Sequence, residues 1–363
     1  MAYTTIDDPS EYFQVLTYTG NAAANRALTN TGNSNLQPDM IWIQPRNNSS
    51  GYYNAVQDTS RGIDKILSTN TNAVEVDSSA QVISVQSNGF TIDDNADSQN
   101  YVNVNSLNYV AWQWKCNAGS TTSGAESGNN PAYSYQANTT AGFSIVTYTG
   151  TGAEGIYPHG LGATPTWVWT KDRDATERPA VMCEKITGVD NAQLLLDRDD
   201  AFATGSNNFN GDNIDSTNMS VVSSGNYNTD GDKYVAYLWT PIQGFSKFGI
   251  FHSDNTHDGT FVYLGFKPKW VMVKNGTQQH ANHDWIIFDS ARETDNEIDT
   301  FLRANETTAE VTSGRNEIDF LSNGFKARAS YGDFNGGSNH EFAYYAFAEH
   351  PFVSSKGVPT TAG

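Results

Sequence analysis

The chain has 363 residues, too many for one ordinary hydrophobic core and enough for two or three domains. Lys and Arg number 21 against 40 Asp and Glu, a formal charge of -19 that sets the surface against nucleic acid and anionic membranes as partners. Aromatic residues make up 12% and charged residues only 17%, beside abundant Gly, Asn, Ser and Thr, so composition points to an all-β protein with little helix. Cys116 and Cys183 fall at non-matching positions of different segments, which argues against a disulfide framework and for folding in a reducing compartment.

In chain order, residues 1–12 read as a polar arm with neither a basic segment nor an apolar run, so neither a signal peptide nor a membrane-spanning helix is expected there. Phe13 opens a first unit, 13–117, with Phe-Gln-Val-Leu-Thr-Tyr-Thr-Gly20. A nearly identical Phe143-Ser-Ile-Val-Thr-Tyr-Thr-Gly150 opens a second unit, 142–241, and Phe248-Gly-Ile-Phe251 a third, 244–352. A period of about 100 residues is that of a small β domain rather than a short solenoid repeat.

Each unit continues with Pro then Trp (Pro38 and Trp42, Pro165 and Trp167, Pro268 and Trp270), and Pro is tolerated where a strand begins. The next strand is expected to end on an acid, Asp58, Glu184 or Asp289. Asn88-Gly89 and Asn323-Gly324 between apolar runs predict tight hairpin turns. An Asn precedes each closing strand, at Asn105, Asn228 and Asn335. The closing strands themselves are Tyr109–Trp114, Tyr234–Trp239 and Phe342–Phe347, aromatic at the first, fourth and sixth positions. Alternation along a strand puts the second, fourth and sixth side chains on one apolar face. Residues 118–141, rich in Ser, Thr, Gly and Asn, read as a flexible linker, and 353–363 as a polar tail. The predicted architecture is three tandem antiparallel β-sandwich-like domains.

Candidate chemistry is sparse. Asp58-x-x-Arg61 and Asp289-x-x-Arg292 offer a guanidinium fork for an anion or sugar, or else a strand-end turn held by its own ion pair. Asn226, Asn228, Asp230 and Asp232, with Gly231 among them, imitate the first half of a calcium loop, although the twelfth position is Tyr237 rather than Glu. The same Asp-Gly is what a turn before a core strand requires. His252, Asp254, His257, Asp258, His280 and His283 are of ligand type without metal-site spacing. Phosphate-loop, dinucleotide-binding, nucleophile-elbow and zincin motifs are missing, and no pair of acids can be selected as a glycosidase pair.

Several long motifs carry a resemblance: Met1-Ala-Tyr-Thr-Thr-Ile6 with Pro9-Ser-Glu-Tyr-Phe13, Tyr109-Val-Ala-Trp112 with Trp114-Lys115, and Gly142–Gly150. Gly244-Phe-Ser-Lys-Phe-Gly249, Phe261–Pro268, Asp289–Arg292, Asp319–Phe325 and Phe347–Phe352 extend it. The chain resembles, over about residues 1–352, tandem-repeat virion proteins of tailed phages, many from aquatic hosts. Unit two departs from the pattern where Arg198 and the cluster Asp197, Asp199 and Asp200 replace the usual register. The resemblance implies a non-enzymatic tail, fibre-like or capsid-decoration protein without catalytic residues or cofactor. It would assemble in the host cytoplasm, in multiple copies or as a homo-oligomer, and bind other virion proteins. Heptads and short β-helix repeats are missing, which favours a globular appendage over a long fibre. The alternative is a host-attachment adhesin for a surface glycan, or a glycan hydrolase, with a concave aromatic and carboxylate site.

Overall fold

The computed structural model describes residues 3–48, 50–94, 101–205, 208–209, 211–280, 283–314 and 317–360. Met1 and Ala2 of the arm and the last three residues of the tail lie outside the described residues. The chain is nearly all β, in antiparallel sheets that build three sandwich-like units. No described helix is long and apolar enough to cross a membrane.

Unit one has a large sheet with spatial order Phe13–Thr19, Asn108–Trp114, Met40–Pro45, Ala55–Asp58, Gly62–Leu67 and Val76–Asp77. Unit three repeats it with Ser246–His252, Glu341–Pro351, Phe266–Asn275, Ile286–Asp289, Thr300–Arg303 and Val311–Thr312. In unit two the order is Phe143–Thr149, Lys233–Trp239, Trp167–Asp172, Ala180–Met182, Ala192–Leu195 and Ala203–Thr204. A small second sheet covers each: Arg26–Thr29, Gly89–Ile92 and Val82–Gln86 in unit one, and Phe261–Tyr263, Gly324–Ala327 and Ile318–Leu321 in unit three. Among the described residues unit two keeps only Gly155–Pro158 paired with Asn218–Val221.

Both faces of each closing strand are buried, and in units one and two they belong to different interiors. Tyr109 and Ala111 face the sandwich of unit one, and Tyr234, Ala236 and Leu238 that of unit two. The opposite face, Val110, Trp112 and Trp114 with Val235, Tyr237 and Trp239 and with Ala343, Tyr345 and Phe347, joins one cluster that runs through all three units. Ring centroids of Trp114 lie 6.0 Å from Trp239 and 5.7 Å from Phe347, while Trp167 stacks on Trp239 at 3.9 Å and lies 6.3 Å from Trp270. The three large sheets therefore stand around a common core in an approximate threefold ring. Burying one such side chain contributes about 1.5–3 kcal/mol, so the ring is held by apolar area no single unit could bury alone.

Register corrects several expectations. Trp114 lies between Phe13 and Met40, Trp239 between Phe143 and Trp167, and Phe347 between Ser246 and Trp270. The third opening strand thus starts at Ser246, with Phe248 level with Val15 and Ile145, and Trp42 is the counterpart of Trp169. Pro268 lies inside its strand at a register shift, where a bulge frees the ladder from needing its missing N–H. The hairpins near Asn88 and Asn323 turn through Ser87-Asn88 and Ser322-Asn323, with Gly89 and Gly324 already in the ladder. A Cβ on Gly89 would lie 2.0 Å from Leu28 O, and one on Gly324 2.0 Å from Val262 O, so close approach of the third strand requires glycine.

The segment read as a flexible linker is a hairpin, Thr122–Gly124 with Tyr133–Asn138, that adds two strands beyond Phe143–Thr149. Gln136 Nε2 donates to Thr59 Oγ1 at 2.8 Å and Ser60 Oγ at 2.7 Å, and Asp39 accepts from the backbone N–H of Cys116, Ala118 and Gly119. The hairpin is therefore clamped to unit one as well. The arm is docked too: Ile6 is buried in the common core, Thr4 Oγ1 donates to Gln243 O at 2.8 Å, and Asp7 accepts from Ser355 N at 2.6 Å.

Candidate functional site

The Asp-x-x-Arg pairs lie at the seams between units. Asp58 Oδ1 accepts from the N–H of Ser60 and Arg61, closing a turn at the strand end, and Asp58 Oδ2 takes Arg61 Nε. Arg61 Nη1 reaches Glu75 at 2.8 Å, Nη2 reaches Val56 O at 3.0 Å, and the other side of Glu75 is gripped bidentately by Arg173 of unit two. The seam of units one and three is built alike: Asp289 and Arg292 with Glu310, which Arg46 grips at 2.8 and 2.9 Å. Burial opposes the charge of Arg61 and Arg292, but Asp58 and Asp289, with Glu75 and Glu310, outweigh it and hold both guanidinium groups above their ordinary pKa. Each guanidinium is fully buried, with its donors turned to these partners, so neither faces an incoming anion or sugar.

An aromatic of the closing strand completes each seam. Tyr237 Oη of unit two donates to Asp58 Oδ2 at 2.6 Å, and Trp112 Nε1 of unit one donates to Asp289 Oδ2 at 3.1 Å. At the third seam Tyr345 Oη of unit three lies 3.8 Å from Cys183 Sγ of unit two, which closes the cycle. Trp167 pairs with Trp239 one step from the Val168–Met182 pair, so Cys183, not Glu184, stands where units one and three have Asp. Ile186 follows at the arginine position. Phe202 takes the place of Glu75 and Glu310, since its N–H bonds Gly276 O as theirs bond Arg173 O and Arg46 O. An entire buried ion set is thus replaced by Cys183, Ile186, Phe202 and Gly276, the glycine because a Cβ there would lie 2.0 Å from the Phe202 ring.

The calcium-like residues do not converge. Asn226 Oδ1 accepts from Arg178 N at 3.3 Å, Asn228 Oδ1 accepts from Thr151 N at 2.8 Å, Asp230 is exposed, and Asp232 stands beside Asp172 and Asp174. Asn228 is a clamp on the loop after the opening strand. Asn335 does the same for Asp254 N at 3.3 Å, and in unit one the clamp is Asn103, not Asn105, bonded to Asn21 N at 3.0 Å. His252 ends the strand Ser246–His252, paired with Glu341, and Asp254, His257 and Asp258 lie on the exposed loop after it: Asp254 Oδ1 accepts from Thr256 and Asn335, Asp258 faces Lys326, and His257 bonds Arg328 O. Among the described residues no His, Cys, Asp and Glu group is arranged to hold a metal.

His280 and His283 instead border a cleft of about 700 Å³ in unit three, with Arg303, Thr312, Tyr331 and Asp333. Arg303 Nε lies 2.7 Å from Asp284 Oδ2 and its Nη2 3.6 Å from Asp333 Oδ2, with the guanidinium 5.1 Å from the Phe301 ring centre. Asn305 Nδ2 holds Asp284 Oδ1 at 2.7 Å, and Asp284 N donates to Asp333 Oδ1 at 3.2 Å. Burial, then the Asp284 charge, pushes the Asp333 carboxyl up to about 6, and burial pushes His283 down. A carboxyl poised near neutral pH is what a general acid needs, yet among the described residues lining the cleft Asp333 is the only carboxylate. The sequence carried no signal for this group, because Asp284, Arg303 and Asp333 come from three separate strands and loops.

Fold and site together define an all-β chain of three sandwich units closed around one core, with its ion sets in the seams and a polar cleft on the third unit. The chain belongs to the family described as Domain of unknown function (DUF7483), whose profile matches residues 8–351. Comparison with curated proteins finds no match.

Proposed function

We propose that the chain is a non-catalytic structural component of a tailed-phage particle, a globular tail or surface appendage that assembles in the host cytoplasm and binds neighbouring virion proteins. The observation that carries the non-catalytic part is where the reactive residue types go. Both Asp-x-x-Arg sets are consumed inside the seams, and all eight Trp side chains are buried in the common core. A glycan hydrolase would keep two carboxylates free on either side of a cleft. Here Asp284 is tied to Arg303 and Asn305, which leaves Asp333 without a partner across the opening. The assignment to a particle rests on the resemblance of the repeat motifs to tailed-phage virion proteins.

The docked arm limits how the chain can attach to a neighbour. Ile6 and Thr4 are committed to the chain's own core and to Gln243, so the arm is no free strand for a neighbour, and loss of residues 1–12 would loosen the ring itself. Mass spectrometry of purified particles should find the polypeptide at a fixed copy number. Its absence from particles, or release of reducing sugar from host-envelope glycan by the purified chain, would overturn the reading.

A further inference from the structure

The geometry points to the strand Phe261–Tyr263 of unit three as a stacking platform for a neutral glycan. Phe261 and Tyr263 are 45% and 48% exposed, more than any other Phe, Tyr or Trp among the described residues. Val262 between them turns inward, so the two rings share the outer face with Cα atoms about 7 Å apart. The fold does not require them. At the same register unit one has Ala27 and Thr29 flanking inward Leu28, and unit two has Ile156 and Pro158 flanking inward Tyr157. Exposed aromatic pairs lower solubility, and a chain that keeps one on a single unit keeps it for contact.

The posture of the rings suits a flat ligand. A Cβ on Gly324 would lie 3.1 Å from Phe261 Cε2, so that ring lies along the sheet over bare backbone rather than standing away from it. Tyr263 Oη is held 3.2 Å from Tyr3 Oη, and Tyr3 in turn donates to Gly265 O at 2.9 Å. Lys247 Nζ, bonded to Tyr263 O at 2.6 Å, lies 5.5 Å from the Tyr263 ring centre. The apolar C–H face of a pyranose stacks on such ring faces while its hydroxyls reach for polar neighbours.

Those neighbours are present and balanced in charge. Lys326, opposite Phe261 in the ladder, pairs with Asp258, and Arg328 lies 3.5 Å from both Asp258 and Asp319 and 3.4 Å from Glu297. With Lys247 this makes three cations against three carboxylates, on a chain whose net charge is -19. A neutral sugar meets hydrogen-bonding groups there without repulsion, whereas a uronate or phosphate gains no net attraction.

This inference is independent of assembly into a particle. Affinity electrophoresis of the full chain through gels containing dextran or mannan, with an array of neutral hexose oligosaccharides, tests it. Wild type should be retarded or captured. Phe261→Ala with Tyr263→Ala should weaken capture at least about tenfold without moving the melting temperature, and Phe261→Trp should preserve it. No capture of the wild type by any neutral glycan, or capture untouched by the double substitution, overturns the proposal. So does concentration-dependent self-association in sedimentation velocity that the double substitution abolishes, since the occupant would then be a second copy of the chain.

Discussion

Replacing Arg61 by isoleucine isolates the energetics of a seam. The guanidinium is buried between Asp58, Glu75 and Val56 O, so its loss leaves the Asp58 carboxylate without a cation in a low-dielectric interior, while Glu75 keeps Arg173 alone. Breaking a buried ion pair in this way costs about 3–5 kcal/mol. Unfolding entropy near 2 cal/mol/K per residue over a chain that melts as one body turns that into a melting temperature lower by about 4–7 °C. The seam between units two and three supplies the compensating set. Asp58→Cys, Arg61→Ile, Glu75→Phe and Arg173→Gly together reproduce Cys183, Ile186, Phe202 and Gly276, and replacing a whole buried ion set by packed apolar groups is often neutral or stabilising. Tyr237 would then face a thiol as Tyr345 does. Differential scanning calorimetry should place the fourfold variant within about 2 kcal/mol of wild type. If it melts no higher than Arg61→Ile alone, the seams are not interchangeable and the counterpart assignment is wrong.

Trp239→Ala removes the ring stacked on Trp167 at 3.9 Å and on Phe143 at 4.8 Å; chemical denaturation should show a loss of about 3–5 kcal/mol. Residues 131–139 should resist limited proteolysis followed by mass spectrometry, because Tyr133–Asn138 pairs along its length with Phe143–Tyr148. The Asp333 carboxyl lies at about 6 in the fold against 3.8 ordinarily, so the folded state binds the extra proton between those values and stability falls as pH rises through the window. Asp333→Asn should therefore stabilise the protein at pH 7 by up to about 3 kcal/mol and have little effect at pH 3.5, as read from urea midpoints at the two pH values. A unit-one fragment, residues 13–117, should be insoluble or molten by circular dichroism and dye binding, since Trp42, Trp112 and Trp114 would face water.

Alternation made the closing strands legible: Val110, Trp112 and Trp114 share a face as the residue pattern implies, and the all-β class followed from composition. What that face packs against was not legible, because Trp114 meets Trp239 and Phe347 more than 120 residues away and no local pattern encodes the meeting. The hairpin at 118–141 was not legible because an edge hairpin with few apolar side chains reads like a linker, although Tyr133-Ser134-Tyr135 already alternates. Glu184, the strand-end acid that the pattern predicts for unit two, lies one residue past the position of Asp58 and Asp289, and in a strand such a slip reverses the face. The cleft of unit three needed the fold, since Asp284, Arg303 and Asp333 have no counterpart pattern in the other units.

A ring of three like units could equally be made by three separate chains, but then every seam would have to be the same and dilution would take the ring apart. Joining the units in one polypeptide replaces a concentration by a tether, so assembly no longer depends on mass action. It also frees each unit from symmetry. A single substitution changes one seam instead of three, which is how an apolar joint at Cys183 can coexist with two ionic ones. By the same freedom, among the described residues, the second unit alone gained a hairpin and the third alone carries an exposed aromatic pair, Phe261 and Tyr263.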